Sequence, residues 1–411
     1  MNEILNHSRI DYVLYHLYQN CSVNDKLYKC FIFNEIIDND NLPCVFFPLS
    51  NRSFNLNDVF SVDNIPLLFP MSNIKSFYRF EGNSLYFEHD LFKSAFYLLS
   101  GYQEYNSTET DVLGRFPYEK SIQEQLNIVE KPIVNYYFEI IISGLEEFCK
   151  RNQISFSRRY LFDNYGFFLT HDVDKIDQIN LRDGIFKIKQ LLKLAPAKVP
   201  YSRLLKANLG YLFKMINLFN KENSFWNFAK MHQIEQELGL RSAWYFLPND
   251  SPLDSYYSFS EPRIGELVEF LETNGHEIGI HGTIKSAENA FAMQIILKEI
   301  NSLTHNKVTG GRQHRLMFSM PQTLLIHEQL GLKYDSTLGF AAHEGFRNSY
   351  CLPFKLYDFA TERMIDVWEF PLIVMDGTLF SYRQLSADKA MQQLNKLIDE
   401  VRKFHGLFTL L

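Results

Sequence analysis

The chain has 411 residues, 46% of them hydrophobic and 22% charged. That is the composition of a folded globular protein, and it excludes disorder, a collagen-like repeat and a disulfide-stapled miniprotein. Lys and Arg number 41 against 48 Asp and Glu, a net charge of -7, so no basic excess is available to neutralise a nucleic-acid backbone. The length suggests two or three domains.

In chain order, residues Met1 to Ser8 lack a basic region and a long apolar run. No secretory signal is expected, and a cytoplasmic location follows. Cys21, Cys30, Cys44, Cys149 and Cys351 are irregularly spaced, with no Cys-x-x-Cys pair, which fits reduced thiols. A helix over Ile10–Tyr18 is followed by strand-like runs at Lys29–Phe33 and Pro43–Pro48, then a helix over Asp90–Leu99. Ile65–Met71 and Phe138–Ile142 are too short to span a bilayer. Ile133, Tyr136, Tyr137, Ile140, Ile141 and Leu145 recur at helical spacing and predict a long helix from Pro132 to Arg151. It closes a mixed α+β first domain, residues 1–155, or links it to the second.

From Phe156 the pattern becomes strand–helix alternation. Strands are expected at Gly166–Thr170, Ser242–Phe246, Glu277–Ile280, Val308–Gly311, Tyr334–Thr337, Asp366–Phe370 and Leu407–Leu411. Helical stretches lie between them, at Trp226–Glu237, Ile264–Thr273, Ala287–Leu303, Pro321–Leu330 and Ala387–His405. Such alternation argues for parallel strands with helical crossovers in a domain over residues 156–411, either doubly wound or closed into a barrel. A long helical insertion, about residues 185–220, interrupts it after the first strand. Lys187–Lys193 with Leu191, Leu192 and Leu194 is a candidate basic amphipathic surface for a membrane; a solvated helix face is the preferred reading.

Active groups in such folds sit at the carboxyl ends of strands. The first strand runs into His171-Asp172-Val173-Asp174, and the period of two puts both carboxylates on one face. Adjacent carboxylates repel unless a cation or proton lies between them; a solvated strand end with Asp as a helix cap is the alternative. The third strand ends at His281, while His276 precedes it as a structural turn residue. The fourth gives Arg312 and His314, again sharing a face. Two Asp, one or two His and an Arg on neighbouring strand ends suit a divalent metal with N and O ligands.

Leu169-Thr-His-Asp-Val-Asp174, Gly275-His-Glu-Ile-Gly-Ile-His281 and Arg312 together resemble the polysaccharide deacetylase family with the NodB-homology domain. The resemblance covers about Phe156 to Leu411 and implies a distorted seven-stranded (β/α) barrel that removes acetyl groups from N-acetylated carbohydrate with a divalent metal. Zn2+ is the expected ion, with Co2+, Ni2+ and Mn2+ as alternatives. By the family's motifs Asp172 is the general base and Arg312 orients it. Asp174 and His281 bind the metal. Tyr334-Asp335-Ser336-Thr337 resembles a fourth motif, whose Asp supports the site. Asp335, Trp244 and Tyr245 are the candidate substrate-binding residues. Asp90–Leu99 and Gly114-Arg-Phe-Pro117 resemble the N-terminal unit that accompanies a bacterial branch of the family.

Two positions depart from the family pattern. Lys285 stands where a second metal-binding His is usual, and an ammonium there opposes a dication. His314 is the expected substitute ligand; the alternative is that it hydrogen-bonds Asp172 or a substrate hydroxyl. The family's final Leu-x-His proton donor has no counterpart up to Leu411, and His405, which precedes the last strand, belongs at the barrel's other end. The rival readings are a catalytically impaired glycan-binding scaffold on the same barrel and a hydrolase of a non-sugar C–N bond. The expected partner is an N-acetylated carbohydrate, with no nucleic acid and no membrane span; the oligomeric state is open.

Overall fold

A computed structural model describes residues 4–34, 42–195, 201–216, 223–251 and 253–411. The carboxyl-terminal part is built on a curled nine-stranded sheet. Its strands are β1 (Gly166–Val173), β2 (Ser242–Phe246), β3 (Glu277–Gly282), β4 (Gly310–Gln313), β5 (Tyr334–Asp335), β6 (Phe354–Asp358), β7 (Arg363–Glu369), β8 (Leu372–Val374) and β9 (Leu407–Leu410). They lie in the order β6-β7-β5-β4-β3-β2-β1-β9-β8. All neighbours are parallel except β6 and β7.

The count of nine corrects the expected seven, and both additions have a local cause. Strand β6 pairs back on β7 as an antiparallel hairpin. Strands β7 and β8 are separated only by Phe370 and Pro371, yet β7 pairs with β5 and β8 with β9. Proline has no amide hydrogen to continue a ladder. The chain crosses there from one side of the curled sheet to the other.

Crossover helices cover the outer face. Pro262 opens the helix Pro262–Thr273, where its missing N–H costs nothing. Ile264, Leu267, Val268 and Leu271 of that helix form its buried stripe. Asn289 and Ser386 cap the helices Ala290–Asn301 and Ala387–Lys403 with their side-chain oxygens. Among the described residues the insertion after β1 forms two helices, Leu181–Leu191 and Tyr201–Ile216; residues 196–200 and 217–220 of the expected stretch lie outside the described residues.

The amino-terminal part carries a four-stranded sheet formed by Phe31–Phe33, Val45–Phe47, Ser84–Phe87 and Tyr78–Glu81. The helices His7–Leu17, Leu91–Leu99 and Ile133–Arg151 join its core. Residues on both sides of position 155 share that one core. Arg347 makes a buried fork to Glu104 at 2.8 and 2.6 Å, and the Val134 amide donates to Ser349 O at 2.9 Å. No disulfide joins the five cysteines. Among the described residues no helix is long and apolar enough to cross a membrane.

Arg9 fastens the first helix to the β6–β7 turn. Its Nε donates to Glu362 Oε2 at 3.0 Å, and Tyr357 Oη donates to the same carboxylate at 2.8 Å. Partial burial raises the Glu362 pKa, but the bonds from Arg9, Asn6 and Tyr357 outweigh it and hold it at about 2. A carboxyl depressed below its unfolded value contributes stability above that value and loses it as the pH falls towards the folded one. Glu362→Gln should therefore cost about 1 kcal/mol at pH 7, a modest figure because solvent reaches the pair. The deficit should shrink between about pH 5 and pH 2. Urea unfolding of both proteins across that range measures it.

Candidate active site

The site forms where β1, β3 and β4 reach their carboxyl ends. Thr170 and Asp172 alternate onto the inner face of β1, and Asp174 follows directly after the strand. The strand runs three residues past its expected end at Thr170, and this carries Asp172 to the mouth. Parallel pairing sets His281 of β3 opposite Arg312 of β4.

Close approach of β3 and β4 depends on glycine. A Cβ on Gly311 would lie 1.9 Å from Ile280 O, and one on Gly310 would enter the Tyr334 ring. Small residues here let Tyr245 and Tyr334 fill the interior, where their hydroxyls meet at 3.3 Å.

Arg312 is fully buried. Its Nη1 donates to Asp172 Oδ1 and to Thr170 Oγ1, both at 2.9 Å. Nε donates to Ser336 O at 2.6 Å and Nη2 to Ser336 Oγ at 3.1 Å. These bonds satisfy a buried cation and leave Asp172 Oδ2 directed towards His281, 3.6 Å from its Nε2.

Asp174, His281 and His314 each bring one ligand atom to within 4.8 Å of the others. His281 Nδ1 lies 2.9 Å from Arg312 O, and its Nε2 lies 3.3 Å from Asp174 Oδ1. Burial lowers the His281 pKa, but the charges of Asp172 and Asp174 outweigh it and raise it overall. The Asp174 carboxyl is pushed up by burial, yet held below its usual range by the His281 hydrogen bond and the charges of both histidines. His314 follows β4 in a tight turn. Its Nδ1 lies 3.1 Å from Asp254 Oδ1, and its Nε2 is 4.0 Å from Asp174 Oδ1.

These groups open onto a cavity of about 560 Å³. Asp172, Asp174, His281, His314 and Trp244 line it, together with Leu113 and Arg115 from the amino-terminal part. The Arg115 guanidinium pairs with Asp111 and donates from Nη1 to Arg315 O at 2.7 Å. Two residues expected to bind substrate do not line the cavity. Tyr245 is sealed in the interior of the curled sheet, its ring centroid 5.2 Å from the Arg312 guanidinium carbon. Asp335 is fully buried, with Oδ1 accepting from the Thr337 amide at 2.8 Å. Tyr245 points into the interior below the strand tips, whereas Asp335, the residue after the inward-facing Tyr334, lies on the opposite side of the sheet with Oδ2 3.5 Å from Nδ1 of His327 on the helix Gln322–Leu330.

The Lys285 side chain is 60% exposed, its Nζ lies 3.5 Å from Asp250 Oδ1, and it is not among the residues that line the cavity. His405 stands before β9, away from the cavity, with Nδ1 3.1 Å from Phe162 O. His276 is buried 2.9 Å from the His232 ring. Sequence reasoning missed Asp254. It lies in the loop after β2, and the rule that functional residues follow strand carboxyl ends was the one signal that could have found it. It also missed His171, which lines the cavity wall, packs against Trp244 with ring centroids 4.2 Å apart and lies 2.6 Å from Glu235 Oε1. A second group, Glu130, His343 and Glu344, also gathers metal-type donors, but its carboxylates are already engaged by Lys396, Gln393 and Arg383.

Residues 5–150 match a family of unknown function (DUF7033). No curated protein matches the chain. A solved chain from Mycobacterium smegmatis, provisionally described as a polysaccharide deacetylase, is similar at 16% identity and a TM-score of 0.37, over 60% of this chain and 76% of that one.

Gly311→Ala should destabilise the protein by about 2 kcal/mol or more, because the added Cβ meets backbone that cannot yield. Thermal or urea unfolding gives the value, and a change within 0.5 kcal/mol, roughly that of an ordinary surface substitution, would show that β3 and β4 do not pack this closely.

Proposed function

We propose that the protein is a metal-dependent hydrolase that removes the acetyl group from an N-acetylated sugar or polysaccharide. The observation that carries this reading is the convergence of a guanidinium-fixed carboxylate, Asp172, with a carboxylate and two imidazoles at one cavity. The sequence motifs around these residues resemble the polysaccharide deacetylase family. The same reading makes residues 1–155 an accessory unit and residues 156–411 the catalytic one; the family match over residues 5–150 supports that division.

The donor set fits a divalent ion. Asp174, His281 and His314 would hold it, an O,N,N set suited to Zn2+, with Co2+, Ni2+ or Mn2+ as alternatives. On both histidines Nδ1 is engaged by an oxygen, Arg312 O or Asp254 Oδ1. That arrangement leaves each Nε2 available as a ligand and fixes the ring. When bound, such an ion polarises a carbonyl and acidifies water.

The remaining chemistry belongs to the chain. Arg312, itself bonded to Thr170, holds Asp172 at the cavity. Asp172 takes a proton from the water that attacks the acetyl carbonyl. The same carboxyl returns that proton to the departing amine as the C–N bond breaks, giving acetate and a free amino sugar. Trp244 and the arginines at the rim shape the approach.

Asp172→Asn should reduce acetate release from N-acetylated oligosaccharides by roughly 100- to 10,000-fold while the metal content stays unchanged; equal rates in variant and wild type would end the catalytic assignment. In calorimetric titration with Zn2+, Asp254→Asn should weaken affinity about 10- to 100-fold through loss of the His314 anchor. Lys285→Ala should leave that affinity unaltered.

A further inference from the structure

The insertion after β1 differs from the rest of the molecule in both charge and surface. Residues 181–216 contain eight Lys or Arg against one acidic residue, Asp183, a net of +7 in a chain whose total is -7. The remaining residues therefore carry -14, and the basic charge is concentrated on one helical hairpin. Contacts with the rest of the chain hold it: Lys175 pairs with Asp183 at 3.3 Å, and Arg182 Nη1 donates to Ser255 O at 3.1 Å. Tyr211 Oη of the second helix receives the amide of Asn180, which caps the first, at 2.9 Å. Between the helices, Asn208 Nδ2 donates to Lys187 O at 3.3 Å. Gly184 permits close contact, since a Cβ there would lie 2.6 Å from Met215 Sδ.

Much of what the hairpin leaves uncovered is apolar. Leu181, Ile185, Ile188 and Leu192 fall at spacings of four, three and four, one stripe of the first helix. Tyr201, Leu205, Leu209 and Phe213 repeat every four residues on the second. All eight are at least 39% exposed. An ordinary solvated helix presents polar residues at these positions, and contiguous exposed apolar surface marks an interaction site. Lysines flank the stripes. The Lys187 ammonium sits over the Tyr211 ring at 4.7 Å and that of Lys193 over Tyr201 at 5.3 Å.

We propose that this hairpin docks the protein onto the surface of an anionic lipid bilayer, its two apolar stripes entering the headgroup boundary and its lysines and arginines facing lipid phosphates. Apolar stripes flanked by basic residues are the signature of a helix lying in the interface plane, and juxtamembrane basic residues gain from the negative surface potential. Charge complementarity selects this occupant. A twofold contact between two hairpins would oppose +7 with +7. A nucleic acid would match the charge but leave Ile185, Ile188, Leu209 and Phe213 in water. A neighbouring cavity lined by Leu181, Ile185 and Phe186 shares Lys175 and Arg315 with the candidate active site, so docking would bring the catalytic mouth towards the membrane.

Flotation of the full chain with vesicles tests this, independently of any catalytic activity. Vesicles of phosphatidylcholine with 30% phosphatidylglycerol should carry the protein, pure phosphatidylcholine should carry far less, and added salt should release it. Each of Lys187→Gln and Lys189→Gln should weaken partitioning about five-fold. A variant with Ile185→Ser, Ile188→Ser, Leu209→Ser and Phe213→Ser should lose it while keeping the wild-type circular dichroism, since these side chains are exposed in the fold. Absence of flotation, or equal flotation with both vesicle types, overturns the proposal. So does a stable dimer in the absence of lipid that the serine variant abolishes, or equally tight retention of the wild type and the serine variant by a DNA duplex.

Discussion

A single buried guanidinium organises the mouth of the curled sheet. Arg312 is enclosed, so each of its donors must find an acceptor or the cation is expelled. Its donors reach Thr170 and Asp172 on β1 and Ser336 after β5. Its own carbonyl oxygen meets Nδ1 of His281 on β3. Three strand ends and one loop are thereby fixed to one another. Beneath it the Tyr245 and Tyr334 rings fill the interior, and glycines at 310 and 311 let the strands come close enough for this to happen. The carboxylates at the cavity are placed by this arrangement and not by their own strand alone.

The two metal-type histidines show how differently equivalent positions are held. His281 is anchored by backbone, through Arg312 O, and inherits its orientation from the β3–β4 register. His314 lies past the end of β4 and depends on Asp254, a carboxylate from the loop after β2. Burial raises the Asp254 pKa, but hydrogen bonds from His314, Ser251 and the Ile284 amide hold it below its usual range. Arg315 and Leu316, next in the chain, adopt left-handed φ values of 58° and 55°. Such backbone costs roughly 1–2 kcal/mol per residue and bends the chain so that both residues join the cavity rim.

The amino-terminal part is more than an appendage. Glu104, Val134 and Asn135 bind the loop that contains Arg347, Ser349 and Cys351, and that loop leads into β6. Leu113 and Arg115 form part of the cavity wall. The helical hairpin on another side of the mouth supplies a basic and apolar surface. The mouth of the curled sheet is thus shaped by two segments outside the strand–helix alternation.

The alternation of strands and helices, the long helix ending at Arg151 and the set Asp172, Asp174, His281, Arg312 and His314 were legible in order, because period and strand-end position are local properties. The strand count was not, since the β6 hairpin and the break at Pro371 are decided by which partner each segment finds across the sheet. Trp244 and Tyr245 are neighbours in sequence, yet Trp244 lines the cavity and Tyr245 is sealed inside; alternation separates them, but only the curl of the sheet and what packs on it decide which side is open. Lys285 was read as a threat to the site because its position in the motif is visible, whereas its turn towards Asp250 is not. Asp254 carries no motif at all. The sequence alone determined which chemical groups the chain brings to the strand ends. The tertiary structure decided which of them meet, because hydrogen bonds and burial act between residues far apart in the chain.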